Sequence, residues 1–227
     1  MPPSSVSRET LLLKLYKNLS KDLLLFFHGT HLKPLALSYK DRGKLQTFIK
    51  SGGILLTGHY HNWELLGAFL RKQGLPLVGA FTPFRSSLWS RQLLRLRERI
   101  NLPAISHNIP RFSKSWIEKG NAFGILLDQH QDQGFPSSLF GNSVLCSKLP
   151  SFLLKSNKKP FYALFLQGNQ RVRIIELWKP DEKKTKALIP TKLYRRYHKV
   201  LEILTKQEPH LWYGLTHKRF KNTHLYS

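Results

Sequence analysis

The sequence predicts an α/β protein with a mixed, mostly parallel central sheet flanked by helices. Short apolar runs at Ile54 to Thr57, Leu77 to Phe81 and Ala122 to Leu127 alternate with longer segments whose apolar residues recur at helical spacing. The alternation ends in Phe161 to Leu166 and Arg171 to Leu177, joined by Gly168-Asn169-Gln170, which is hairpin turn chemistry. At 227 residues the chain is one large domain, or a domain with a small appendage, ample for a packed core.

The elements follow in order. Ser7 is placed to cap a helix running to about Phe27, with Leu12, Leu15, Tyr16, Leu19, Leu23, Phe26 and Phe27 on its apolar side and Lys14, Lys17 and Lys21 on other faces; Gly29 ends it. Leu11, Leu13, Leu24 and Leu25 widen the apolar side, which fits either a core helix or one lying in a lipid interface with its lysines at headgroup level. Residues 1–44 are therefore read as an amphipathic N-terminal segment and 45–227 as the main domain. A polar helix is expected at Tyr39 to Ser51, then the strand at Ile54, a helix to about Lys72, and the strand at Leu77. Next come a strongly basic helix from Ser86 to Ile100, a short segment at Ala104 to Ser106, a helix near Phe112 to Lys119 and the strand at Ala122. Gln131 to Ser143 is rich in Gly, Pro and Ser and reads as a loop. Helices at Ser147 to Ser156 and Leu193 to Lys206 complete the pattern.

Charge narrows the function classes. Lys and Arg number 37 against 13 Asp and Glu, a net +24, so the natural counterparts are polyanions: nucleic acid, an anionic membrane face, an acidic protein or a phosphorylated lipid. The single cysteine, Cys146, leaves no internal disulfide and fits a reducing compartment. No run reaches the roughly 18 apolar residues of a spanning helix, and the start lacks a secretory n-region and h-region. A peripheral, cytoplasmic protein is expected.

The residues that could carry chemistry cluster at strand ends. T-G-H-Y-H-N-W-E puts His59 just past the first buried strand, with Glu64 in the first turn of the next helix. In open α/β sheets, ligands bind at the carboxyl ends of strands. There an imidazole can take a proton from a hydroxyl while a carboxylate fixes its tautomer. His59, His61 and Glu64 also spell H-x-H-x2-E, but two histidines at i, i+2 face one way only in an extended segment and a third strong ligand is lacking, so no metal is expected. Arg85, Arg91, Arg95, Arg97 and Arg99, grouped with the basic helix, suit an anionic substrate, although the spacing of the last three spreads them around it. Asp128 and Gln129 end an apolar strand, as a loop anchor or as part of the site. His217-Lys218-Arg219, after Trp212-Tyr213, reads as a basic tail or a lipid-headgroup boundary. The chain has no G-x-S-x-G elbow, no P-loop and no G-x-G-x-x-G after a strand, which removes weight from serine hydrolase, NTPase and dinucleotide enzyme.

T-G-H-Y-H-N-W-E resembles the H-x4-[DE] block of the lysophospholipid acyltransferase superfamily, in the N-W-E version of the bacterial lipid A late acyltransferases, the lauroyl and myristoyl transferases of lipopolysaccharide assembly. Four further blocks resemble that family in order: L-W-S-R-Q-L-L-R-L-R-E-R-I-N-L-P-A-I, G-I-L-L-D-Q, F-G-N-S-V-L-C-S-K-L-P-S-F-L-L and P-H-L-W-Y-G-L-T-H-K-R-F-K. The resemblance covers about residues 45 to 221, making 45–227 an acyltransferase domain of glycerol-phosphate-acyltransferase-like fold. Glycine is usual in the family where His61 and Asn101 stand, threonine at Cys146 and glycine at Leu149, and most members begin with a spanning helix.

What the resemblance implies is acyl transfer without a cofactor. His59 is the general base and Glu64 its partner. Arg97, Asn62, Trp63, Asp128, Gln129, His217 and Arg219 are implied to bind substrate. The donor is an acyl carrier protein and the acceptor a hydroxyl of a phosphorylated glycolipid, met at the cytoplasmic face of the inner membrane by a peripheral chain on an anionic surface. The alternatives are another phosphoglycolipid as acceptor, or a basic nucleic-acid-binding protein without catalysis; no specific nucleic acid is expected.

Overall fold

A computed structural model describes residues 7–28, 35–84, 86–180 and 189–215. Helix α1 (Arg8–His28) starts where the Ser7 hydroxyl accepts the Thr10 N–H at 3.2 Å. A two-residue edge strand, β1 (Ala36–Leu37), leads to α2 (Tyr39–Ser51), whose Ser38 cap accepts the Asp41 N–H. The border set after residue 44 falls inside α2. Strand β2 (Gly53–Thr57), α3 (Trp63–Lys72), β3 (Leu77–Ala80), α4 (Ser87–Arg99), β4 (Ala104–Ile105), α5 (Ile109–Glu118) and β5 (Ala122–Leu126) follow as strand–helix repeats. Then come β6 (Phe135–Leu139), β7 (Asn142–Cys146), α6 (Leu149–Ser156), β8 (Phe161–Leu166), β9 (Arg171–Trp178) and α7 (Ile189–Gln207). Two 3₁₀ turns, Pro209–Leu211 and Tyr213–Leu215, close the described chain.

The seven-stranded sheet has the order β1-β9-β8-β2-β5-β3-β4, parallel throughout except for the β8–β9 hairpin. This is the expected α/β class with a mixed, mostly parallel sheet. Alternate residues feed two cores, one on each face. Ile54, Leu56, Phe123, Ile125, Ala163 and Phe165 pack with Ile117, Leu153, Leu193 and Tyr197 of α5, α6 and α7. Leu55, Ala122, Tyr162 and Leu164 pack with Leu45 and Phe48 of α2 and Leu65, Leu66 and Leu70 of α3. Burial on both faces explains why these strands read as continuous apolar runs.

One expectation fails. Gln131 to Ser143 is not a plain loop: β6 and β7 pair antiparallel across it, from Phe135↔Cys146 to Leu139↔Asn142. The turn between them has two left-handed residues, Phe140 at φ 51° and Gly141 at φ 79°, the backbone of a tight hairpin. The short edge strand β1 also had no signal, because two residues carry no periodicity.

Candidate active site

Strand pairing assembles the site. β2 and β5 are parallel neighbours with Thr57 opposite Leu126, so His59 and Asp128 each stand two residues beyond a matched pair. The two side chains meet: His59 Nδ1 lies 2.8 Å from Asp128 Oδ1. Asp128 Oδ2 accepts the His59 backbone N–H at 2.7 Å and the Trp212 indole N–H at 3.0 Å. Burial works to raise the Asp128 carboxyl, but the charge and hydrogen bonds of His59, with the Trp212 N–H, outweigh it and hold it at about 2. With Asp128 anionic, Nδ1 carries the proton and Nε2 is left as the base. The Gln129 side-chain nitrogen sits 3.4 Å from Nε2.

The approach is close enough to require glycine at position 58. A Cβ there would lie 2.9 Å from the Tyr197 hydroxyl and 3.0 Å from both Cγ and Oδ2 of Asp128. The turn itself is clamped by the chain's last described segment: Tyr213 N–H donates to His59 O at 2.7 Å and His61 N–H to Leu211 O at 2.6 Å. His61 takes the left-handed conformation (φ 48°) that lets the chain turn from β2 into α3, and Asn101 after α4 does the same at φ 54°. Both are positions a glycine would fill without steric cost.

Glu64 is not the partner of His59, and the expectation is corrected here. Its two oxygens accept Nε and Nη2 of Arg97, at 3.1 and 3.0 Å from Nε and 2.5 Å from Nη2. Glu64 lies in the first turn of α3, which faces Arg97 on α4, whereas the sheet register brings Asp128 to the imidazole. Arg97 Cζ also stands 5.3 Å over the Phe81 ring. Two of its nitrogens, Nε and Nη2, are thus taken by a carboxylate, while the residue still lines the cavity.

Two other expected substrate contacts also hold structure: Asn62, which lines the cavity, and Asp128, which does not. Asn62 caps α3, its Oδ1 accepting the Leu65 N–H at 2.8 Å, and its amide donates to Asp22 O at 3.3 Å. Asp128 is 1% exposed and reaches the cavity only through His59. Trp63 packs its ring edge-on against the His59 imidazole at 4.7 Å, and Gln129 faces the cavity. Arg85, His217 and Arg219 lie outside the described residues.

The cavity holds about 540 Å³, within the ~300–1,000 Å³ range of small-molecule sites. His59, Glu64, Arg97 and Gln129 supply its polar wall, and Leu19, Phe81, Phe84, Leu93, Ile109 and Leu149 much of the apolar remainder. Sequence reading missed Asp22, a buried acid of α1 that borders the cavity. It accepts the Tyr213 hydroxyl at 2.6 Å and lies 3.2 Å from His61 Nδ1, tying α1 to the turn that carries His59. Its signal was an acid set just before Leu23-Leu24-Leu25 in an apolar helix. His59, His61 and Glu64 each pair with a different partner, and among the described residues no group of three His, Cys, Asp or Glu side chains is arranged to hold a metal ion. No helix of the described residues is long and apolar enough to cross a membrane. No protein family matches the chain, and no curated protein does.

Proposed function

We propose that the protein is an O-acyltransferase that moves a fatty acyl group from acyl carrier protein to a hydroxyl of a phosphorylated glycolipid of the lipid A precursor class. It works peripherally at the cytoplasmic face of the inner membrane and needs no cofactor. The observation that carries this reading is the buried Asp128–His59 pair, with the imidazole in the wall of a largely apolar cavity. The ordered resemblance of five sequence blocks to the lipid A late acyltransferases supplies the reaction class and both substrates.

In the proposed mechanism His59 Nε2 takes the proton of the acceptor hydroxyl, and Asp128 holds the ring and stabilises the imidazolium. The oxygen attacks the thioester carbonyl, giving a tetrahedral oxyanion. Its collapse forms the ester and breaks the carbon–sulfur bond, and the imidazolium returns its proton to the departing thiolate. General-base assistance of this kind is worth ~10²–10⁴-fold. Gln129, whose amide lies 3.4 Å from Nε2, is a side chain placed to donate to the oxyanion. The net +24 suits both an acidic carrier protein and a phosphorylated acceptor.

The test is transfer of a radiolabelled acyl chain from acyl carrier protein to the purified precursor. His59→Ala is expected to fold as the parent does and to lose transfer; retention of more than about a tenth of the parent rate, against the ~10²-fold minimum for a lost base, overturns the assignment. Mass spectrometry of lipids from a deletion strain identifies the acceptor and chain length together, and a changed lipid outside the lipid A class would reassign the acceptor.

A further inference from the structure

We infer that α4 and the turn before it form a docking surface for an anionic lipid leaflet, set over the mouth of the cavity. The helix carries two opposite rows. Leu93 and Arg97, at i, i+4, line the cavity, so this row faces inward. Arg91, Arg95 and Arg99 form the opposite row at the same spacing, and all three are exposed. None of the three has an ion-pair partner among the described residues. Three like charges along about 12 Å of helix repel one another, and Glu98 is the sole acid on α4. Such a row is stabilised by an external anion.

A second, independent feature sits at the head of the same row. Leu88 falls on the arginine face and is 65% exposed, Trp89 is 66% exposed, and Phe84 is 53% exposed while also lining the cavity. Phe84 itself is held: its N–H donates to the Ser90 hydroxyl at 2.8 Å, and its ring meets Phe81 edge-on at 6.0 Å. Three large apolar side chains are thus held out to solvent beside unpaired arginines and the cavity opening.

Charge alone would suit an acidic protein or a nucleic acid equally well. The combination favours lipid, because a leaflet presents phosphates to arginine forks and, a few ångströms deeper, hydrocarbon to Leu88, Trp89 and Phe84. On such a surface the cavity would open toward the membrane at Phe84, where a glycolipid could pass in without crossing water. This step rests on the proposed function for what enters; the docking itself does not.

Vesicle sedimentation tests it without using catalysis. The parent is expected to bind vesicles containing anionic phosphatidylglycerol and to leave pure phosphatidylcholine vesicles largely free. Each arginine near an anionic leaflet is worth about fivefold in binding. Arg91→Gln, Arg95→Gln and Arg99→Gln together should therefore weaken binding about a hundredfold, with an unchanged circular dichroism spectrum. Leu88→Ser with Trp89→Ser should weaken it at least about tenfold. The inference is overturned if the parent does not bind anionic vesicles, or if both variants bind within twofold of it. It is also overturned if the triple variant loses affinity for RNA or acyl carrier protein while keeping the vesicles. His59→Ala should bind vesicles as the parent does, so failure of transfer alone leaves the docking surface standing.

Discussion

Two buried acids serve the same cavity, Glu64 in its wall and Asp128 behind His59, and they have opposite jobs. Asp128 sits 69 positions from His59 in sequence and touches it; Glu64 sits five positions away and binds Arg97 instead. The difference lies in what fixes each one. Asp128 is delivered by strand register, β2 against β5, which sets residues far apart in the chain side by side. Glu64 is delivered by a helix, and the first turn of α3 faces α4. Nearness along the chain pointed to the wrong acid, because a sheet edge, and not a spacing, decides what meets a residue at a strand end.

The largest effect should come from Asp128→Asn. The Asn oxygen can still accept the His59 and Trp212 N–H groups, which turns its NH₂ toward Nδ1 and moves the imidazole proton to Nε2. The base is then lost with little change in shape, and kcat should fall by ~10³–10⁴, the scale known for a misplaced tautomer. Glu64→Gln should fall much less in kcat per folded molecule. Equal losses for the two, measured at saturating substrate on folded protein, would break the comparison.

Next in size is the stability effect on the Glu64 side. Removing one member of a buried ion pair typically costs ~3–5 kcal/mol, because the other charge is left unpaired. Glu64→Ala should therefore lower the urea midpoint strongly, and adding Arg97→Met should recover most of the loss. Non-recovery in the double variant would mean that the pair is not a self-contained unit.

Gly58→Ala tests the Asp128 side by shape alone. Its Cβ would press on the Asp128 carboxylate and the Tyr197 hydroxyl, which itself donates to Thr57 O at 2.7 Å. Overpacking of this kind costs ~1–3 kcal/mol, and here the relief available is movement of Asp128 away from His59. Activity should drop more than stability does, read as kcat against the thermal midpoint.

Much of the fold was legible. Both-face burial made β2, β5 and β8 apolar runs, and the Ser7 cap set the start of α1, while the caps at Ser38 and Asn62 emerged only with the structure. The β6–β7 hairpin was not legible, since Pro136, Ser137 and Ser138 are poor strand formers and its left-handed turn begins with Phe140 rather than glycine. In the site, His59, Asp128 and Gln129 were visible as polar residues at strand ends. Their pairing was not, because register is a property of two strands together. Trp212 and Asp22 were hidden for the same reason: each reaches the turn from an element remote in sequence.

The smallest expected effect is on acid stability, and it belongs to the Asp128 side. The Asp128 carboxyl is lowered from 3.8 to about 2 by His59 and Trp212. A depressed carboxylate adds stability that is fully present above its unfolded value and is lost as pH falls through its folded one. The parent should therefore lose about 2 kcal/mol between roughly pH 4 and pH 2 from this group alone. Asp128→Asn should lack that slope, and His59→Ala should flatten it, since the imidazolium is the main lowering charge. Urea unfolding at pH 5, 4, 3 and 2 measures it. If His59→Ala retains the parental slope, the imidazole does not govern the carboxylate, and the register argument that joins them has no energetic counterpart.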